Sequence, residues 1–317
     1  MPDERTGAMR RRLARRSQLV RARTRAKNEV HAALIRRLIA RPGFSDLFGV
    51  AGRRWLGQLE LPLEERETVD SGLRQIEFLD GEVAEVERLI ALDALGWPEV
   101  RRLMTVPGVN VIVAATFVAA VGDVRRFRTQ RQLVGYLGLD PRVRQSGPGP
   151  ATHGRISKQG SAPARHALVE ASWSAVRQPG PLRAFYQRVR VRRGHQVAVV
   201  ASARKLACLF WCLLTRERDY AYQQPSLTRK KIRRLELAAG APRHQGQPGI
   251  WAANKALRQA ERELAQQAEH AYARTVRDWQ ATAPERTGAG ATPGRASQRP
   301  SKGKAARQTS KPQQPAL

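Results

Sequence analysis

The stretch from Val106 to Gly160 decides how this chain is read. It opens Val106-Pro-Gly-Val-Asn-Val111, passes Gly122-Asp123 and Phe127 to Gly138, and closes on Gly154-Arg-Ile-Ser-Lys-Gln-Gly160. Proline and glycine at 107 and 108 predict a turn between two helices. Val109 to Val121 is small, apolar and rich in alanine, and reads as a tightly packed helix ending at Gly122-Asp123. A further helix is expected from Phe127 to Leu137, with Gly138 just past its end. Residues 139–160 lack a helical period and hold Gly147, Gly149, Gly154 and Gly160 with Pro141, Pro148 and Pro150. Val143 and Ile156 suit the flanks of a short hairpin there. Helix resumes over Ala162 to Val176, with Ser161 as its cap and Pro163 in its first turn.

Two parts of this stretch point to phosphate. Helix, Pro107-Gly108 turn and small-residue helix have the form of a helix-hairpin-helix. In such a unit glycine lets the backbone approach a phosphate, and the next helix offers free N–H groups and the positive end of its dipole. That grip holds the nucleic-acid backbone without reading bases. The same pattern also suits an ordinary turn between core helices. Tyr136-Leu-Gly138-Leu resembles the turn of a second such motif, and Arg125, Arg126, Arg128 and Arg131 lie between the two. The second part is the serine turn. Ser157 stands between Arg155 and Lys158, with glycines on both sides, a helix opening just after, and Arg165 in that helix. Cations beside a helix N-terminus make an anion site. A hydroxyl held there could attack a phosphodiester if its proton is removed and the charge on phosphorus is stabilised. From these residues alone, a serine that only contacts phosphate or caps a turn is the plainer reading. Ser146, in Gln145-Ser-Gly147, competes as a nucleophile and reads as a turn residue. His153 and His166 are too few for a metal site, and Asp123 and Asp140 stand alone, so no carboxylate cluster suits two-metal phosphoryl transfer.

Outward from the core, long helices dominate. Neither proline nor glycine occurs between Met9 and Arg41, and Pro42-Gly43 ends the run, which predicts one helix with Val30, Leu34 and Leu38 on one face. Residues 44–63 form a loop or short helix carrying Phe44, Leu47, Phe48 and Trp55. Residues 64–95 are a second long helix, with Val69, Leu73, Ile76, Leu79, Val83, Val86 and Ile90 alternating by three and four as in a coiled coil. Gly72 and Gly81 weaken it slightly. The charges of the two helices are opposed: residues 1–41 hold 13 basic and 3 acidic side chains, residues 60–99 hold 3 and 12. They therefore suit each other, within one chain or between two. The cations of the first helix read as phosphate contacts or as a solvated face. Beyond the core come helices over Pro181 to Arg193, Gln196 to Arg216, residues 226–239 and Ile250 to Trp279, then a basic tail too poor in apolar residues to fold.

Across the 317 residues, 57 Lys and Arg face 27 acids, a net charge of +30, which calls for a polyanion. Cys208 and Cys212 sit at i, i+4 in an apolar helix, which fits core packing and excludes a disulfide framework. No apolar h-region opens the chain and no uninterrupted apolar run spans a bilayer, so a cytoplasmic, nucleoid-associated location and no membrane partner are expected. The fold expected is mainly α: a helical, coiled-coil-like hairpin over 1–95, a compact serine-containing domain with helix-hairpin-helix-like motifs over 96–220, a helical extension over 221–280 and a disordered basic tail over 281–317. Pro107, Gly108, Gly138, Arg155, Lys158 and Arg165 are the expected DNA contacts.

The order Val106-Pro-Gly-Val, Gly122-Asp123, Phe127, Gln132-Leu, Tyr136-Leu-Gly138-Leu, Gln145-Ser-Gly147, Gly154-Arg-Ile-Ser-Lys-Gln-Gly160, Arg165 resembles the C-terminal transposase domain of the insertion-sequence "one-ten" family, including its "eleven-eleven" subgroup. The likeness is close over about residues 100–190. Arg21-Ala-Arg-Thr-Arg-Ala-Lys-Asn28 resembles the segment that follows that family's nuclease domain. The resemblance implies an N-terminal RuvC-like domain with a DEDD carboxylate set that binds divalent metal, a coiled coil, and a C-terminal domain whose serine is the nucleophile. It also implies a covalent serine–DNA link in strand exchange, a noncoding bridge RNA that pairs with DNA, and oligomeric assembly. By motif position the serine is Ser157. No DEDD set or strand-rich first domain is found here. The expectation is therefore a truncated copy that binds DNA, as a homo-oligomer or beside an intact transposase, without recombining it alone. It would bind no cofactor itself, with Mg²⁺ needed only alongside a complete RuvC-like domain. The alternative is a non-catalytic DNA- or RNA-binding scaffold.

Overall fold

The computed structural model describes residues 3–282 apart from 41, 44, 150 and 244–249. It is mainly α, with eleven α-helices and one two-stranded sheet among the described residues. Helix α1 (Glu4–Arg36) starts on Asp3, whose carboxylate accepts from the Thr6 N–H, and α3 (Leu63–Leu95) returns alongside it. The two pack antiparallel within the chain. Arg12 pairs with Asp93, Arg16 with Glu87, Arg23 with Asp80 and Arg36 with Glu65, so positions rising along one helix meet positions falling along the other. Between them lie Ala26, Val30, Val69 and Ile76, closed at the tip by Leu47, Phe48 and Leu56 around α2 (Val50–Gln58). Opposed charge thus pairs the helices in cis. Arg12, Arg15, Arg16, Arg23 and Arg36 thus answer α3 acids rather than standing free for phosphate, while Arg10, Arg11, Arg21 and Arg25 are exposed outside these ion pairs.

Gly72 has a packing role that helix propensity hides. A Cβ there would lie 2.6 Å from Val30 Cγ2, whereas one at Gly81 would meet nothing within 4 Å. The end of α1 also departs from expectation. The helix stops at Arg36, before Pro42, because Leu38 turns into the left-handed region (φ 54°) while Leu38 and Ile39 N–H groups return to Ile35 and Leu34 carbonyls. Leu38 is consequently 92% exposed and off the apolar face assigned to it.

The main core is built on α5 (Val111–Val121) and α9 (His195–Thr215), where Phe117 and Phe210 meet edge to face at 4.9 Å. Around them pack α4 (Pro98–Leu103), α6 (Gln130–Tyr136), α7 (Ala162–Ala175) and the base of the α1–α3 hairpin through Met9, Ile90 and Ala94. α9 is long and apolar enough to cross a membrane by composition. Here it is a core helix, with Val199, Ala203, Leu206 and Ala207 buried and Arg204 and Lys205 exposed at its middle. α8 (Pro181–Arg193) lies beside α9, α10 (Pro225–Ala238) against α3, and α11 (Ile250–Thr282) on α8, where Glu269 receives Arg183 and the Gly180 N–H. The helix expected from Phe127 begins instead at Gln130, because Thr129 and Gln132 form a reciprocal capping box that fixes the start there. Val124–Arg126 is a 3-10 turn and Phe127 a core side chain outside the helix. Phe44 and residues 283–317 of the expected basic tail lie outside the described residues, and α11 runs through its first two positions.

Candidate functional site

The serine turn is assembled from the two ends of the strand hairpin and the C-terminus of α6. Strands β1 (Pro141–Arg144) and β2 (Thr152–Ile156) pair antiparallel with Pro141 opposite Ile156 and Val143 opposite His153. That register sets Asp140 against Ser157, one step beyond the last paired residues. The Ser157 N–H donates to the Asp140 carbonyl at 2.8 Å, and the Ser157 hydroxyl donates to Asp140 Oδ1 at 2.7 Å. Asp140, read from the sequence as solitary, is therefore the direct partner of the candidate nucleophile. Val143 and Ile156 mark the hairpin, but the register irregularity between Pro141 and Val143, which their spacing does not reveal, is what brings 140 to 157.

Gly138 and Gly160 bring the two backbones together. Both have positive φ (67° and 93°), and each occupies space that a side chain would contest. A Cβ on Gly138 would overlap the Gln159 carbonyl, and one on Gly160 would overlap the Tyr136 carbonyl. The Lys158 N–H donates to the Gly138 carbonyl at 3.1 Å, and this clasp holds Lys158 at φ 58°. A non-glycine residue there costs about 1–2 kcal/mol, strain stored next to Ser157. Arg165 is half-buried, and its Nη1 donates to the carbonyls of Leu137, Gln159 and Gly160. It braces the turn from α7, whose first N–H groups are served by Ser161. Arg142 adds a bond from Nη2 to the Ser157 carbonyl at 3.2 Å.

Ser157 is only 9% exposed. By contrast Arg142, Arg144, Arg155 and Lys158 are exposed, and none is in an ion pair among the described residues. Ser146 is exposed in the loop between the strands. The surface over the serine turn is thus a cluster of uncompensated cations on a small two-stranded platform. Of the intervening cations, Arg125 is paired with Glu217 at 2.6 Å and Arg126 stacks over Phe127 and Tyr136, while Arg128 and Arg131 are exposed. His166 is exposed, on α7.

The Pro107-Gly108 turn is placed differently from expectation. Pro107 is buried, and Gly108 lies against α7 so closely that a Cβ would press on Ala175 N and Cα. The turn's inner face is closed by Lys231 from α10, whose ammonium donates to the carbonyls of Met104, Val106 and Val109. Pro107 and Gly108 therefore have a packing role, with the turn's carbonyls covered by Lys231, while Asn110 at the N-terminus of α5 is exposed. The described residues include no group of three or more His, Cys, Asp or Glu placed to hold a metal ion. The DEDD-type divalent site implied by the family resemblance thus has no counterpart among them.

Residues 100–187, which span this turn, the strand hairpin and α7, match the family described as Transposase IS116/IS110/IS902. This segment is similar to the transposase domain of that family. The chain is 34% identical over 216 residues to a "Probable family 20 transposase" of Pseudomonas aeruginosa, covering 65% of this chain and 62% of that protein. It is 29% identical over 145 residues to the "Transposase for insertion sequence element IS1111A" of Coxiella burnetii, covering 44% and 40%. It is 28% identical over 208 residues to the "Transposase for insertion sequence element IS1328" of Yersinia enterocolitica, covering 63% and 60%. The chain thus spans less than two thirds of the length of each of these relatives. Within the matched segment, the Asp140–Ser157 pair and the exposed cations are the features with chemical content.

Proposed function

We propose that this chain takes part in DNA transposition of an insertion sequence, by binding DNA through the platform formed by β1, β2 and the serine turn. The observation that carries this reading is the cluster of Arg142, Arg144, Arg155 and Lys158, exposed and without acid partners, beside a buried Ser–Asp pair. Counterion release at such a cluster makes binding tight and steeply salt-dependent. Lys158 and Arg155 are assigned to phosphate, and Gly138 and Arg165 to shaping the turn. Ser157 is the proposed nucleophile: its hydroxyl attacks phosphorus as Asp140 accepts its proton, displacing the 3′ oxygen and leaving a serine–DNA ester. Carboxylates for a divalent metal are assigned to a partner protein. Residues 96–220 act as the DNA-handling unit, 1–95 as an assembly arm and 221–280 as a helical brace. A bridge RNA and further copies of the chain are the proposed partners, and a nucleoid location follows from DNA binding.

The burial of Ser157 favours a second reading. A hydroxyl already committed to Asp140 can serve only to shape the turn, and the exposed Ser146 is then the nucleophile, or the chain is a binding scaffold. The deciding experiment mixes the protein with element-end DNA, candidate RNA and Mg²⁺ and resolves covalent adducts on a denaturing gel. An adduct lost in Ser157→Ala and kept in Ser146→Ala supports the proposal. The reverse pattern assigns the chemistry to Ser146. Salt-sensitive binding with no adduct in any variant supports the scaffold.

A further inference from the structure

The Lys231 contact is unusual among the cations of this chain. Its ammonium is half-buried and donates to three backbone carbonyls: Met104 at the end of α4, Val106 at 2.8 Å and Val109 at 3.0 Å. No carboxylate lies within ion-pair distance of it among the described residues. The side chains that carry these carbonyls are at most 1% exposed, so water has little access to the oxygens. Three buried carbonyls turned towards one point favour a cation there, even though the Val106 oxygen also accepts from the Val109 N–H. The turn is fixed independently of Lys231. Gly108 is clasped against Ala175, the Val109 N–H returns to Val106, and Thr105 is tied to the Tyr220 N–H at 3.0 Å. The oxygens are therefore held in place by the surrounding fold and the lysine is delivered from a separate helix.

We propose that the carbonyls of Met104, Val106 and Val109 form a monovalent-cation site, filled in this structure by the tethered ammonium of Lys231 and by potassium or ammonium ion when that side chain is absent. The ligand class follows from the donors. Neutral carbonyl oxygens replace the hydration shell of a large monovalent ion, as in potassium-selective filters. Magnesium and calcium instead call for carboxylates and higher coordination, which the turn does not offer. Occupation from α10 makes the transposase-domain turn depend on the helical segment that follows the domain.

The test is chemical rescue read by thermal unfolding of the full chain. Wild type, Lys231→Met and Lys231→Gln are melted in potassium, ammonium, sodium and tetramethylammonium chloride at equal ionic strength. The expected result is that both variants melt lowest in tetramethylammonium and gain about 3 °C or more in potassium and ammonium, as for an ion at several times its dissociation constant. Wild type should respond to the change of cation by less than about 1 °C. Lys231→Gln keeps two N–H donors, so it supplies the answer if Lys231→Met fails to fold. Equal melting temperatures in all four salts for the variants that fold, or a wild type that gains as much as they do, overturns the proposal.

Discussion

The helical hairpin of α1 and α3 and the strand hairpin of β1 and β2 are both dense in arginine, yet they use it differently. In the first, Arg12, Arg16, Arg23, Arg36 and Arg37 meet Asp93, Glu87, Asp80, Glu65 and Glu64, and the charge is spent inside the chain. In the second, Arg142, Arg144, Arg155 and Lys158 face outward with no acid opposite. Net charge alone does not mark a nucleic-acid surface. What sets the proposed DNA surface apart is charge without a partner, placed on backbone that is held rigidly.

The largest effect should come from breaking that rigidity. Gly138→Ala forces a Cβ into the Gln159 carbonyl at a left-handed position, and should cost ~3 kcal/mol or more of unfolding free energy by denaturant titration, with DNA binding lost in parallel. Next comes the charge contrast itself. Replacing Arg142, Arg144, Arg155 and Lys158 together by alanine should reduce the slope of log affinity against log salt for duplex DNA by about 3–4, on the basis of roughly 0.9 per phosphate contact. Replacing Arg12, Arg16 and Arg23 by glutamine should change that slope by less than about 1, and equal effects would erase the distinction.

A pH experiment sharpens the helical side. Glu65 is 5% exposed, and the hydrogen bonds from Arg36 hold its carboxyl below the usual glutamate range. A carboxyl whose folded value is depressed adds stability above its unfolded value and loses it as pH falls through the folded one. The wild type should therefore lose stability on acidification below the ordinary glutamate range, and Glu65→Gln should flatten that part of the curve measured by thermal melts. The smallest effect is a pair of glycines. Gly81→Ala should stabilise by about 0.5–1 kcal/mol through helix propensity, while Gly72→Ala should destabilise because its methyl meets Val30.

Those two glycines illustrate what could be read in advance. Helix spans, the Ser161 cap and the match of a basic helix to an acidic one follow from local period and charge, and they reappear almost unchanged. The flanking of a hairpin by Val143 and Ile156 was also legible. Contacts that join distant positions were not. Gly72 looks like a propensity defect until Val30 is beside it, and Lys231 looks like a surface cation until three carbonyls 122 or more positions earlier surround it. Asp140 lies between these cases, since the hairpin was legible but the register shift between Pro141 and Val143 that brings it to Ser157 was not. Leu38 fits the apolar face by spacing, and only the early turn of the backbone exposes it.

The α1–α3 pair also sets a length. Its lower end is fastened to the main core by Met9 and by Arg10 on the Ala119 carbonyl, with Arg5 closing the pair on the Gly96 carbonyl. From Met9 to Arg36 the helix rises about 40 Å at 1.5 Å per residue. That is the span of about a dozen base pairs of duplex. The small second core around Leu47 and Leu56 is thus carried a fixed distance along the arm from the Met9 anchor, so the paired helices act as a stiff spacer.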